Sequence, residues 1–263
     1  MMKNKFKILI MVLLVVLISL PVYGEAAVKK EIKTEIDKPA KILMVLTSHD
    51  QMGETENKTG FYLSEVTHAY FQFIEAGYLV DFASPEGGAA PLDETSRDLK
   101  DEENKKFLED KKLMSEIAAT KKLKDIKSED YKAIYFAGGH GTMWDFPGHG
   151  EINRISAEIY EVGGVVAAVC HGPAALVDIK LSNGKYLVEG KDVTAFTNEE
   201  EDAVKLSEIM PFALETKLIE RGAKFQKAGL WQDKTVVSER LVTGQNPASA
   251  ASVGKAVIEL LSH

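Results

Sequence analysis

The five residues Val165–Val169, VVAAV, are apolar at every position. A strand with one face in water alternates apolar and polar side chains. A strand covered on both faces has no reason to. This segment therefore predicts a central strand with helices packed above and below it. The flanking segments supply such partners. Glu151–Gly164 has helical spacing and stops at glycine. Tyr131–Gly139 is a second strand ending in glycines. Upstream, Lys41–His49 reads as a strand, Thr59–Gly77 as a helix with Gly77 at its C′ position, and Tyr78–Pro85 as the next strand.

Between them, Leu92–Ile126 is charged and modest in apolar content, and is expected to be a helical insertion on the surface. Lys191–Thr197 reads as a strand, and Pro211–Ala223 as a helix. Thr235–Gly244 reads as two short strands around Ser238 and Glu239, and Asn246–His263 as a closing helix with Pro247 near its first turn. Strands alternating with helices give an α/β class with a mostly parallel sheet. The chain has 263 residues, no internal repeat and no low-complexity tract, so one domain, residues 41–263, is the simplest organisation.

The N-terminus has another character. Lys3, Lys5 and Lys7 precede the uncharged run Ile8–Leu20, and PVYGEAA follows. A basic start, a short apolar core and small residues at a cut site predict a signal peptide over residues 1–24, with cleavage after Gly24 or Ala26. The run is short for a membrane span of roughly 20 residues; an uncleaved anchor is the competing reading. Residues 25–40, charged and ending near a proline, read as a tether. Export is the expected localisation, with no stable membrane span after cleavage. The formal net charge of -8 disfavours a nucleic-acid partner.

Export permits disulfides, but Cys170 is the only cysteine and forms none within the chain. It stands at the end of VVAAV, on Cys170-His171-Gly172-Pro173. A lone cysteine is most often a small buried hydrophobe; a tight turn into a helix instead presents the thiol, and the helix N-terminus favours thiolate. Three further stretches stand near strand ends, where sites of such sheets form. Gly138, Gly139 and His140 offer backbone N–H groups for an oxyanion or substrate, unless this is a plain glycine turn. Glu65 lies among apolar helical neighbours; turned inward, its carboxyl would have a raised pKa. The acidic run Thr197–Asp202 follows a strand. No clustered Cys/His metal ligand set is legible, so no metal and no organic cofactor are expected.

Together AVCHGPAAL, FAGGHGTMWDFP, KTGFYLSEVTHAY, VDFASPEGG and LVTGQNPASA resemble the ThiJ/PfpI superfamily, often described as glutamine amidotransferase-like. The similarity is greatest to its branch of glutathione-independent glyoxalases and heat-shock-type chaperones, and runs from Lys41 to the C-terminus. It implies a flavodoxin-like three-layer sandwich with a nucleophile elbow at Cys170. It makes Cys170 the reactive cysteine, His171 its histidine, Glu65 the glutamate at the sulfur, and Glu201 the acid that orients the histidine. Gly139 and the N–H of His171 would hold an oxyanion. The implied activity converts methylglyoxal or glyoxal to a hydroxy acid through a Cys170 hemithioacetal, in a homodimer whose partner molecule is a small reactive aldehyde. The same residues would serve a cysteine-dependent hydrolase or deglycase, and the resemblance extends to a stress chaperone or redox sensor. The branch is typically cytoplasmic, so the leader is a departure that bears on the substrate.

Overall fold

A computed structural model describes residues 39–263. The leader 1–24 and nearly all of the tether 25–40 lie outside the described residues. Among those described, no helix is long and apolar enough to cross a membrane.

The chain runs through β1 (Lys41–Val45), α1 (Leu63–Glu75), β2 (Leu79–Ser84), α2 (Glu102–Glu109), α3 (Lys111–Ile117), β3 (Lys121–Lys122) and β4 (Ala133–Phe136). Then come α4 (Thr142–Asp145), α5 (Gly150–Glu161), β5 (Val165–Val169), a 3-10 helix (Gly172–Asp178), β6 (Asp192–Val193) and α6 (Asn198–Ala203). The remainder is α7 (Leu214–Glu220), β7 (Lys224–Phe225), β8 (Thr235–Ser238), β9 (Leu241–Gly244) and α8 (Ala250–Leu261). Seven strands form one sheet in the order β3-β2-β1-β4-β5-β9-β8. All pairs are parallel except the β8–β9 hairpin.

Strand alternation divides the core into two layers. Leu43, Val45, Ile134, Phe136, Val166 and Ala168 face α5, burying Ile152, Ile155 and Ile159. Ile42, Met44, Tyr135, Val165, Ala167 and Val169 face α1 and α8, burying Leu63, Val66, Phe73, Val253 and Val257. This is the three-layer α/β arrangement, and β5 is buried along its whole length. Each large apolar side chain so buried contributes about 1.5–3 kcal/mol. Gly77 follows α1 with φ of +86°, a conformation that favours glycine.

Three expectations need correction. The insertion at Leu92–Ile126 is helical but is not confined to the surface. Asp101 and Asp110 each cap a new helix by accepting from backbone N–H groups, so the run breaks at Asp110. The insertion also buries Phe107, Leu113, Ile117 and Leu123, and supplies the edge strand β3. Secondly, Lys191–Thr197 does not join the main sheet. Only its Asp192–Val193 is a strand, paired with β7 in a separate two-stranded ladder. Thirdly, the helix after Cys170 is 3-10 rather than α, with Pro173 in its first turn.

Candidate active site

β5 delivers the chain to Cys170, which adopts φ of +59°. A non-glycine residue in this region costs roughly 1–3 kcal/mol. Neighbouring backbone holds it there: the Cys170 N–H donates to the Gly244 carbonyl at the end of β9 (2.9 Å), and its carbonyl accepts from the Phe196 N–H (2.8 Å). The turn also explains Gly172. A Cβ at that position would come within 2.3 Å of the Phe136 carbonyl oxygen.

The twist brings adjacent side chains together. Cys170 Sγ lies 3.3 Å from His171 Nδ1. His171 Nε2 lies 2.7 Å from Glu201 Oε2, and Glu201 Oε1 lies 3.0 Å from His140 Nε2. One carboxylate thus holds two imidazoles, whose centroids are 4.1 Å apart. Burial would raise the Glu201 carboxyl, but His171 and His140 outweigh it and hold the group well below the usual carboxylate range. Burial, with His140 beside it, lowers His171, so the imidazole is neutral at rest. With Nε2–H directed at the carboxylate, Nδ1 is left to accept a proton from the thiol.

Glu201 reaches this position because Thr197 and Glu200 form a capping box that starts α6. Glu200 is fully buried. Its Oε1 accepts from the Trp231 N–H (2.9 Å), Gln245 Nε2 (3.0 Å) and Asn246 Nδ2 (2.8 Å).

Glu65 projects from α1 into the interior and is wholly buried. Its Oε2 accepts from the Gly138 N–H (2.7 Å), while Oε1 has no hydrogen-bond partner among the described residues. Burial pushes the carboxyl up to about 8, against the opposing pull of the Cys170 thiol and the Gly138 N–H. Burial and the Glu65 charge push the Cys170 thiol well above its ordinary value, and the His171 N–H offsets only part of this. Burial and the Glu65 charge thus work against the thiolate that a helix N-terminus favours. Once Glu65 takes its proton, its charge no longer opposes ionisation of the sulfur, and the two groups titrate as a pair.

The glycine turn divides its work. Gly138 is not a free donor: its N–H is taken by Glu65, and its carbonyl accepts from the Tyr62 N–H (3.1 Å). The Gly139 N–H has no acceptor among the described residues and the His171 N–H is directed at the Cys170 sulfur; both residues line the cavity above Cys170. Gly139 has φ of +99°, and a Cβ there would meet the Gly60 carbonyl oxygen at 2.2 Å. His140 lines the cavity too, with its ring held by Glu201.

The sequence reading missed Thr142. Its hydroxyl lies 2.9 Å from the Gly139 carbonyl and 3.0 Å from the His171 carbonyl, tying the glycine turn to the elbow. It also missed a cluster that the fold assembles from distant residues. His140, His171 and Glu201 offer ligand atoms within 4.8 Å of one another, although here they are hydrogen-bonded among themselves. The cavity is about 640 Å³, and its walls include Tyr62, Phe196, Leu206 and Trp231.

Comparison with known proteins follows the same lines. The model of the DJ-1/PfpI family matches residues 57–260. The glutathione-independent glyoxalase HSP31 of Saccharomyces cerevisiae is 36% identical over 242 residues, covering 86% of this chain and 99% of the yeast protein. Glyoxalase 3 of Candida albicans is 32% identical over 229 residues, covering 83% and 97%. Among solved structures, Rapid Encystment Protein 24 KDa of Francisella tularensis superposes with a TM-score of 0.82 at 43% identity, covering 84% of this chain and 99% of that one. Glyoxalase III of Candida albicans superposes with a TM-score of 0.79 at 31% identity, covering 84% and 97%. Matched along most of its length by both the family model and full-length relatives, the chain belongs to the DJ-1/PfpI family.

Proposed function

We infer that the protein is a glutathione-independent glyoxalase, converting methylglyoxal or glyoxal and water to lactate or glycolate. One observation carries the reading. A single sulfur is met by His171 Nδ1 at 3.3 Å and by a buried carboxyl whose pKa is pushed up to about 8. General acid–base groups work best with pKa values near the operating pH. The names of the yeast relatives support the same activity.

The thiol gives its proton to His171 Nδ1, and Sγ forms a bond to the aldehyde carbon. The developing oxyanion lies against the N–H groups of Gly139 and His171 and takes the Glu65 proton, giving a hemithioacetal. Glu65, now a carboxylate, removes the hydrogen from that carbon, and the His171 imidazolium protonates the neighbouring oxygen, giving an enediol. Glu65 returns its proton to the adjacent carbon as His171 takes the proton of the first hydroxyl, leaving a hydroxyacyl thioester on Cys170. Water adds to the thioester carbonyl and gives one proton to Glu65; the carbon–sulfur bond breaks, the leaving sulfur takes the His171 proton, and the hydroxy acid is released. Substrate and water are consumed and a hydroxy acid is formed, with no net oxidation or reduction.

The test is lactate formation from methylglyoxal by the purified protein without glutathione, beside Cys170→Ala. Lactate from the unmutated protein alone supports the reading; a folded protein that makes none overturns it. The run Ile8–Leu20, preceded by three lysines, supports export of this activity, which fractionation of expressing cells would check. The expected homodimer is checked by light scattering on the purified protein.

A further inference from the structure

The cavity is larger than its smallest substrates need. A three-carbon aldehyde fills little of about 640 Å³, a volume within the roughly 300–1,000 Å³ of sites that take drug-sized ligands. Three rings mark a path out of it. His171 is 4.4 Å by centroid from Phe196, and Phe196 is 5.7 Å from Trp231. Exposure rises along this row, from 1% at His171 and 5% at Phe196 to 48% at Trp231. The wall thus runs from the reacting sulfur to solvent and becomes apolar as it leaves the histidine.

Trp231 is held at the rim at some cost. It adopts φ of +61°, and Lys205, between the wall residues Val204 and Leu206, adopts φ of +63°. Of the four non-glycine residues of positive φ among those described, Cys170 and Trp231 line this cavity and Lys205 stands between two residues that do. Such conformations persist only where the surroundings impose them, and they gather at functional sites. At Trp231 the constraint is visible: its N–H donates to fully buried Glu200, the neighbour of Glu201. A half-exposed indole at the rim of the cavity that holds the thiol is accounted for if it contacts substrate. The charged groups of the lining already have partners, Lys58 with Asp50 at 2.9 Å and Asp93 Oδ1 with the Thr95 N–H at 3.0 Å, and the wall of Phe196, Leu206 and Trp231 suits an uncharged substituent.

We propose that the preferred substrates are 2-oxoaldehydes bearing an aromatic or branched alkyl group, and that Trp231 selects them. This rests on the glyoxalase reading. The chemistry is unchanged: Sγ adds to the aldehyde carbon, and the substituent on the adjacent ketone carbon lies along Phe196 and Trp231. Phenylglyoxal and water give mandelate, as methylglyoxal and water give lactate.

The test compares initial rates with phenylglyoxal and methylglyoxal for the full chain, Trp231→Ala and Trp231→Phe. The unmutated protein should favour phenylglyoxal in kcat/KM by about ten-fold or more, the discrimination an apolar wall gives for a buried ring. Trp231→Ala should remove most of that preference, chiefly by raising KM for phenylglyoxal more than for methylglyoxal, and be largely rescued by Trp231→Phe. Methylglyoxal turnover with no preference, or equal losses on both aldehydes in Trp231→Ala, overturns this proposal alone. Turnover of neither aldehyde by the folded, unmutated protein removes the glyoxalase reading and the proposal with it.

Discussion

Glu201 Oε2 lies 2.7 Å from His171 Nε2 although thirty positions separate the two residues, and this contact fixes which ring nitrogen faces the sulfur. Glu201→Gln replaces an acceptor by a group that can present an N–H, which favours the opposite tautomer. The expected loss in kcat is about 10²–10⁴-fold, the range supplied by a positioned proton-transfer group. Steady-state kinetics on a variant of unchanged circular dichroism checks it. A loss confined to KM would count against the assignment.

Glu65 links protonation to stability. Its carboxyl, ordinarily near 4.5, is pushed up to about 8 in the fold. A raised folded pKa means the native state binds the proton more tightly. The contribution is fully present below the unfolded value and declines as pH rises through the folded one. Between pH 4.5 and 8 the decline is up to about 1.4 kcal/mol per pH unit. Glu65→Gln removes this dependence. The stability of the variant relative to the unmutated protein should therefore rise from pH 5 to pH 8 in guanidinium unfolding. Parallel curves would contradict the assignment. The same variant should lose about 10²–10⁴-fold in kcat, because the group that moves the carbon-bound proton is gone.

Thr142 joins two turns through one hydroxyl. Thr142→Val keeps the shape and leaves the buried carbonyls of Gly139 and His171 without that donor. The expected destabilisation is about 1–3 kcal/mol, read from the denaturant midpoint. Activity should fall as well, since the Gly139 and His171 N–H groups that face the reacting atoms belong to these turns.

Gly172 has no room for a side chain, with the Phe136 carbonyl oxygen 2.3 Å from where a Cβ would sit. Gly172→Ala should cost about 1–3 kcal/mol through overpacking. The displaced elbow should also slow alkylation of Cys170 by iodoacetamide. An alanine variant of native stability would show that the turn has slack.

Much of this arrangement was legible in local sequence. VVAAV announced a strand covered on both faces, and Cys170-His171-Gly172-Pro173 announced a turn with no purpose in a packed core. The apolar neighbours of Glu65 allow an inward carboxyl, although the residue alone reads as a solvated helix position; the fold turns it inward. What stayed hidden depends on contacts distant in sequence. His140 and Glu201 are 61 positions apart, and only the closed fold places their side chains at 3.0 Å. β3, β6 and β7 are two residues each, too short to carry a period. Gly138 and Gly139 look alike as a pair, yet one N–H is taken by Glu65 and the other is free, a difference set by α1. The capping box Thr197-x-x-Glu200 was readable, and would have fixed the register that places Glu201 toward the histidines.

The central claim is a covalent hydroxyacyl intermediate on Cys170. The direct measurement is turnover of methylglyoxal in the presence of hydroxylamine, which captures thioesters. Lactohydroxamate should form with the unmutated protein, at the expense of lactate, and not with Cys170→Ala. Lactate produced at an undiminished rate by Cys170→Ala, or turnover by the unmutated protein from which hydroxylamine captures nothing, would contradict it.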